Sequence, residues 1–145
     1  MKALIKLACA GLVLAALTGC AINRASATVD PGANLATVKS FHVKPHEKDE
    51  RGVHQLIADN LRKRGYQVTV GPQPSVAVDA TVTYVDKWMW DITMYMLELT
   101  INFREPRTDY PLATGNSLHT SLTRLSPPEM VDEVLGNMLK KEEKK

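Results

Sequence analysis

The stretch Val53-His54-Gln55-Leu56-Ile57-Ala58-Asp59-Asn60-Leu61-Arg62-Lys63-Arg64-Gly65-Tyr66-Gln67-Val68-Thr69-Val70 changes its period at Gly65. Before the glycine, Val53, Leu56, Ile57, Asn60 and Leu61 recur at spacings of three and four, which places them on one face of a helix. After it, Tyr66, Val68 and Val70 alternate with polar residues, the period of a half-buried strand. Gly65 suits the position just past a helix because glycine tolerates positive φ. Glu47, Asp49 and Glu50 lie at the start of the helix and Arg62, Lys63 and Arg64 close it, an order that complements the helix dipole. The predicted helix runs over 48–64. A helix feeding directly into a strand is a fragment of a layered domain built from both elements.

The same reading extends in both directions. Upstream, Val38, Phe41 and Val43 mark a first strand over 37–43. Downstream, Gly71-Pro72-Gln73-Pro74 breaks the chain, and Val76, Val78, Ala80, Val82 and Tyr84 share one strand face. A turn is expected near Asp86–Asp91, followed by a strand in which Tyr95, Leu97, Leu99, Ile101 and Phe103 alternate. Trp88, Trp90, Ile92 and Met94 fall on the opposite parity, so a turn, a bulge or a segment apolar on both faces must intervene. The loop 105–111 leads to a strand over 112–123. Ser126, Pro127 and Glu129 then form a capping box with proline at the first helical position. Val131, Val134, Leu135, Met138 and Leu139 supply the apolar stripe of that last helix. The order β-α-β-β-β-β-α predicts an α+β two-layer sandwich over 37–140, with two helices on a mainly antiparallel sheet and a charged tail over 141–145.

The N-terminus carries an address. Lys2 and Lys6 precede an apolar run from Leu7 to Leu17. A membrane-spanning helix needs about 20 apolar residues, so this run is too short and has the charge layout of an export signal. It ends in Leu17-Thr18-Gly19-Cys20, which resembles a bacterial lipobox. The resemblance implies that the Cys20 thiol receives a diacylglycerol, that residues 1–19 are cut away, and that the new amine is acylated. Ala21 follows, where an Asp would favour retention in the inner membrane of Gram-negative bacteria. The resemblance therefore implies an outer-membrane lipoprotein whose domain faces the periplasm. Ala25-Ser26-Ala27 is an alternative cleavage site of the ordinary secretory kind. Residues 20–36 are small and polar with a Pro31-Gly32 turn, and read as the lipidated cysteine and a flexible tether.

Loss of residues 1–19 from the 145 leaves 126, one domain's worth of chain. The whole sequence has 18 basic and 16 acidic residues; without Lys2 and Lys6 the balance is neutral, which removes the electrostatic footprint of a nucleic-acid binder. Both cysteines are accounted for, since Cys9 leaves with the signal and Cys20 carries lipid. Disulfides, thiol catalysis and thiolate-bound zinc are thereby excluded from the domain.

Cys20, the helix end Leu61-Arg62-Lys63-Arg64-Gly65-Tyr66, the strand end Thr83-Tyr84-Val85 and the later hairpin together resemble small Gram-negative envelope lipoproteins that carry a domain of unknown function. The architecture is also similar to the accessory lipoprotein of the lipopolysaccharide export barrel. These resemblances imply a membrane-attached domain, and they bring no catalytic residues.

The polar clusters are weak as chemistry. His42, His46 and His54 with Glu47, Asp49 and Glu50 contain ligand types for a metal, but lack the HExxH spacing. Asp86, Asp91 and Glu98 would need a fixed separation across a cleft to act as paired acids, and Asp is also a turn residue. Ser117, His119 and Ser121 share a strand face without a nucleophile elbow. Trp88, Met89, Trp90 and Met94 are either core or a candidate partner surface, since Trp and Met are enriched at interfaces. The expected function is a non-enzymatic accessory or assembly factor, without metal or cofactor, attached to the membrane by lipid and contacting an envelope protein. A lipid- or glycan-binding module is the alternative, and a hydrolase a further one.

Overall fold

The computed structural model describes residues 21–140. The expected signal segment 1–19, Cys20 and the expected tail 141–145 lie outside the described residues. The elements are β1 (Asn23–Val29), β2 (Ser40–Val43), α1 (Val53–Lys63), β3 (Gln67–Val70), β4 (Ala80–Asp91), β5 (Thr93–Arg104), β6 (Pro111–His119) and α2 (Pro127–Met138), with short 3-10 turns at Leu35–Thr37 and Ser121–Thr123. The strands form one sheet in the order β1-β6-β5-β4-β2-β3. The α+β class and the layering match the expectation from sequence. The sheet is mixed, because β2 pairs in parallel with both β3 and β4 while the other pairs are antiparallel.

Both helices lie on one face of the sheet. Ile57, Ala58 and Leu61 of α1 and Met130, Val131, Val134, Leu135 and Met138 of α2 are buried against Phe41, Val82, Leu99, Ile101 and Phe103. The Phe41 ring meets Phe103 at 4.7 Å and Tyr66 edge-on at 5.0 Å. The opposite sheet face is polar: Thr114 Oγ1 donates to Asn102 Oδ1 at 2.9 Å, and Asn116 Nδ2 donates to Glu98 Oε1 and Thr100 Oγ1, each at 2.9 Å. Layer spacing depends on Gly115. A Cβ there would stand 2.6 Å from Met138 Cγ and 2.7 Å from Val134 Cγ1, so only glycine lets α2 settle this closely on β6.

Four expectations are corrected. Residues 23–29, read as tether, form the edge strand β1, paired with β6 from Asn23↔His119 to Val29↔Ala113. All seven side chains of β1 are exposed, so the strand is held by its backbone ladder and leaves no hydrophobic period to read. The first helix starts at Val53, not Lys48, because Gly52 has φ 71° and ends the loop before it. The turn expected near Asp86–Asp91 is strand, and the chain reverses at Ile92, whose φ is 61°. The last strand stops at His119, ahead of a 3-10 turn that holds Ser121. At the other end of α1, the expectation for Gly65 holds: its φ is 95°, Gly65 N donates to Arg62 O and Tyr66 N to Leu61 O, a Schellman closure.

Asp49 is the hub that joins α1 to the sheet. Its carboxylate accepts from Val53 N at 3.0 Å, His54 N at 2.9 Å, His54 Nδ1 at 2.7 Å and Tyr84 Oη at 2.6 Å. It thereby caps the helix from outside the usual position and ties it to β4. Burial pushes the Asp49 carboxyl up, but the hydrogen bonds from His54, Tyr84 and Val53 outweigh it and hold the group well below the usual carboxylate range. Burial and the same carboxylate push the Tyr84 phenol above its ordinary value.

Two outcomes follow for the folded chain. Gly115→Ala lowers stability by about 1–3 kcal/mol in chemical denaturation, the usual cost of overpacking a filled layer, here against Met138 and Val134. Asp49 ionises more readily folded than unfolded, so its contribution is complete above the unfolded carboxylate pKa of about 4 and is lost as pH falls toward the lower folded value. Asp49→Asn is therefore expected to cost about 2–4 kcal/mol at neutral pH and to flatten the acid limb of a stability-versus-pH curve.

Candidate functional site

The hairpin of β4 and β5 runs past the rest of the sheet. β2 pairs with β4 only over Ala80–Val82, and β6 pairs with β5 only as far as Glu98. Beyond that line the two strands continue alone as Trp88↔Met96, Met89↔Tyr95, Trp90↔Met94 and Asp91↔Thr93. Four paired residues at about 3.4 Å each make an arm of roughly 13 Å. Ile92 caps it as the turn.

A bulge decides which side chains the arm shows. The β4–β5 register passes from Lys87↔Glu98 to Trp88↔Met96, leaving Leu97 without a partner. The extra residue reverses the parity of β5. Met96 consequently joins Leu99 and Ile101 in the core, and Trp88 packs at its margin. The alternation read from sequence, with Tyr95 and Leu97 on the Leu99 face, is thus broken: Tyr95 opposes Met89 on the other side of the sheet.

The two tryptophans have different fates. Trp88 is half-buried at the base of the arm; its Nε1 donates to Asp86 Oδ2 at 2.5 Å, and the Arg51 guanidinium sits 4.3 Å from its ring centroid. Trp90 is 69% exposed and Ile92 86% exposed, with Met89 and Met94 exposed beside them. Arg124 lies 4.7 Å from the Tyr95 ring centroid and donates from Nη1 to Thr93 Oγ1 at 2.8 Å, bracing the other strand. An isolated two-stranded ribbon is marginal in water, so these braces matter. Single exposed apolar side chains are ordinary, whereas Trp90 and Met94 pair across the ladder on one face next to Ile92 at the turn, and a group of this kind marks a contact surface.

The other sequence candidates are dispersed or engaged. His42 is buried on the polar side, with Nδ1 2.7 Å from Thr69 Oγ1 and Nε2 2.9 Å from Gly71 O. His46 Nδ1 accepts from Lys48 N at 3.1 Å, and His54 is bound to Asp49, so the three histidines do not converge. Among the described residues, no group of three potential ligands is placed to hold a metal ion. Asp91 sits on the arm and Asp86 just below its base, paired with Leu99, and Glu98 accepts from Lys87 Nζ at 2.6 Å. That bond, Asn116 and nearby Arg24 lower the Glu98 carboxyl pKa.

Ser117 and His119 do meet an acid that sequence reasoning missed. Ser117 Oγ donates to Glu133 Oε2 at 2.5 Å, and His119 Nε2 lies 2.8 Å from the same oxygen. A nucleophilic triad needs the histidine between the hydroxyl and the carboxylate. Here both groups address the carboxylate, and His119 Nδ1 is buried without a hydrogen-bond partner. The cluster is a polar rivet between β6 and α2. Burial pushes the Glu133 carboxyl up, and the bonds from Ser117 and His119 more than reverse this. Ser121 lies apart and accepts from Arg124. Glu133 falls one position from Asp132 and four from Glu129, so only the fold identifies it.

No protein-family model matches the chain, and no curated protein matches it. Solved structures do. The chain is similar to the PelC dodecamer from Paraburkholderia phytofirmans, with a TM-score of 0.60 at 14% identity over 83% of this chain and 100% of that one. A single-substitution variant of that dodecamer gives a TM-score of 0.59 at 15% identity, over 82% and 100%. A PDZ domain protein from Parabacteroides distasonis matches at a TM-score of 0.48, 12% identity, over 86% of this chain and 37% of that one. A minor lipoprotein from Acinetobacter baumannii matches at 0.34, 15% identity, over 68% and 86%. At these identities the PelC likeness shows the fold alone, and the last two scores carry no argument. The similarity to the lipopolysaccharide-export lipoprotein is not shown by these comparisons.

The split between the tryptophans is measurable. Trp90→Ser combined with Ile92→Ser leaves the thermal midpoint of the full chain almost unchanged, since exposed substitutions shift stability by only about 0.5 kcal/mol. Trp88→Ala costs about 2 kcal/mol, because it removes half-buried area and the Arg51 stack.

Proposed function

We propose that this chain is a non-enzymatic protein of a Gram-negative cell envelope, held on the outer membrane by lipid on Cys20, with its domain facing the periplasm and working by contact. The observation that carries the reading is the arm: exposed Trp90, Ile92, Met89 and Met94 stand on an ordered ribbon that projects beyond the core. Folding gains nothing from apolar side chains left in water, so their placement calls for another surface.

Two further observations support it. The segment ending at Cys20 has the length, charge and small residues of a lipoprotein signal. Among the described residues no helix is long and apolar enough to cross a membrane. Acyl chains on one cysteine attach a protein firmly once there are two or more, at about 0.8 kcal/mol per buried CH₂. The acids that line the groove between the helices are engaged in structural bonds: Asp59 with Arg62, Asp132 with Arg64 and Asn60, and Glu133 with Ser117 and His119. That engagement favours a scaffold over a reaction centre.

Mass spectrometry of the N-terminal peptide from the membrane fraction tests the anchor; acylated Cys20 is expected, and an unmodified terminus at Thr28 contradicts it. A photoreactive residue introduced at Trp90 in living cells tests the contact. It is expected to capture a product that the same probe at Asp59, exposed on the helix layer, does not. Equal capture at both positions removes the arm from the account.

A further inference from the structure

The arm and the start of the described chain emerge at the same end of the sheet. β6 runs toward that end, where Leu118 pairs with Glu98 and His119 pairs with Asn23. β1 is antiparallel to β6, so from Asn23 back to Ile22 the chain continues past the sheet in the direction in which the arm projects. Ile22 is fixed there: its N donates to Thr120 Oγ1 at 2.9 Å, and its carbonyl accepts from Thr120 N at 3.1 Å and Thr123 Oγ1 at 2.6 Å. Arg124, the next residue, binds Thr93 and covers Tyr95. One hydrogen-bonded path thus ties the chain's entry into the sheet to the flank of the arm.

Apolar exposure concentrates at this end. Ile22, Leu122, Met89, Trp90, Ile92 and Met94 are all large, exposed hydrophobic residues. Cys20 stands two residues before Ile22, so it lies within about 7 Å of extended chain from it. The strands from β1 to β4 span about 14 Å at 4.8 Å per neighbour, and the arm reaches roughly 13 Å beyond the sheet. Acyl chains on Cys20 and the arm tip can therefore reach one lipid surface.

We propose that the tip Trp90-Asp91-Ile92 with Met94 is a second, non-covalent membrane anchor, seated in the interface of the same leaflet that holds the lipid on Cys20. This deepens the reading of the arm as a contact surface, and it rests on that reading. Tryptophan favours the membrane–water interface because its ring is apolar and its N–H stays polar. Ile92 and Met94 supply apolar area to place below it, and Ile22 and Leu122 are further exposed apolar residues at this end of the sheet. A single flexible attachment would leave the domain free to tumble. Two attachments about 15 Å apart, by the strand spacing, set its orientation and turn the polar sheet face and the helix layer toward the periplasm at fixed angles.

The test uses the full chain carrying its native N-terminal modification, in vesicles of phosphatidylethanolamine and phosphatidylglycerol with brominated acyl chains. The chain has two tryptophans, so Trp90→Phe isolates the contribution of Trp90. Wild-type emission is expected to shift to the blue on binding and to lose most of its Trp90 component to the bromines, while Trp90→Phe is quenched little. If Cys20 is acylated and wild-type emission is quenched no more than that of Trp90→Phe, the inference is overturned and the lipid anchor stands. Shielding of Trp90 from aqueous iodide without bromine quenching would place a second copy of the chain on the tip, and also overturns it. Absence of acyl groups on Cys20 by mass spectrometry overturns the anchor and the inference together.

Discussion

Leu97 has no partner across the β4–β5 ladder, and the placement of nearly everything at that end of the molecule depends on this one unpaired residue. A strand of period two, continued without interruption from Phe103, would carry Leu97 and Tyr95 into the core and Met96 out of it. The bulge moves Met96 inward and frees Tyr95 to take the cover of Arg124 on the far side. It also keeps Trp88, Trp90 and Met94 on the face that the core occupies, beyond the point where the helices cover it. Bulges sharpen the local twist and re-aim side chains, and here the re-aimed group is the exposed tip.

The remainder of the domain supplies a rigid base for that arm. Gly115 permits α2 to sit directly on β6, and the Ser117–His119–Glu133 cluster holds the same two elements by polar contacts. Asp49 performs the corresponding task for α1 and β4, where Tyr84 meets a carboxylate that also caps the helix. The two helices are joined by Arg64 and Asn60 on Asp132, an exposed link that adds little energy by itself. Apolar burial between the layers is the main source of stability, and the polar links select one arrangement of them.

Much of this was legible in the sequence because it rests on burial. The helix stripes around Ile57 and Val134, the Gly65 stop and the alternation from Leu99 to Phe103 are direct consequences of one apolar face. What rests on backbone pairing or on a single carboxylate was not legible. β1 buries no side chain, so its pairing with β6 has no hydrophobic signature. The parity conflict around Trp88 announced an irregularity, but neither its nature as a bulge nor its position at Leu97 could be read without the partner strand. Asp49 looked like one of three acids near a helix start, and only the tertiary approach of Tyr84 and His54 separates it from Glu47 and Glu50. The Trp88–Met94 patch was visible as a patch, while its division into a braced base and an exposed tip depends on Arg51 and Arg124, which are distant in sequence.

For the tip to meet a membrane or a partner as described, the arm must be an ordered extension of the sheet before anything touches it, projecting from the end where the chain enters. Amide hydrogen exchange of the full chain in detergent solution, resolved along residues 86–97, addresses this directly. The ladder from Trp88↔Met96 to Asp91↔Thr93 predicts that the bonded amides of the arm are protected well above the rate of unstructured chain, grading from the sheet outward. Exchange of Met89 through Tyr95 at the unprotected rate, with Val82–Val85 still protected, would contradict it.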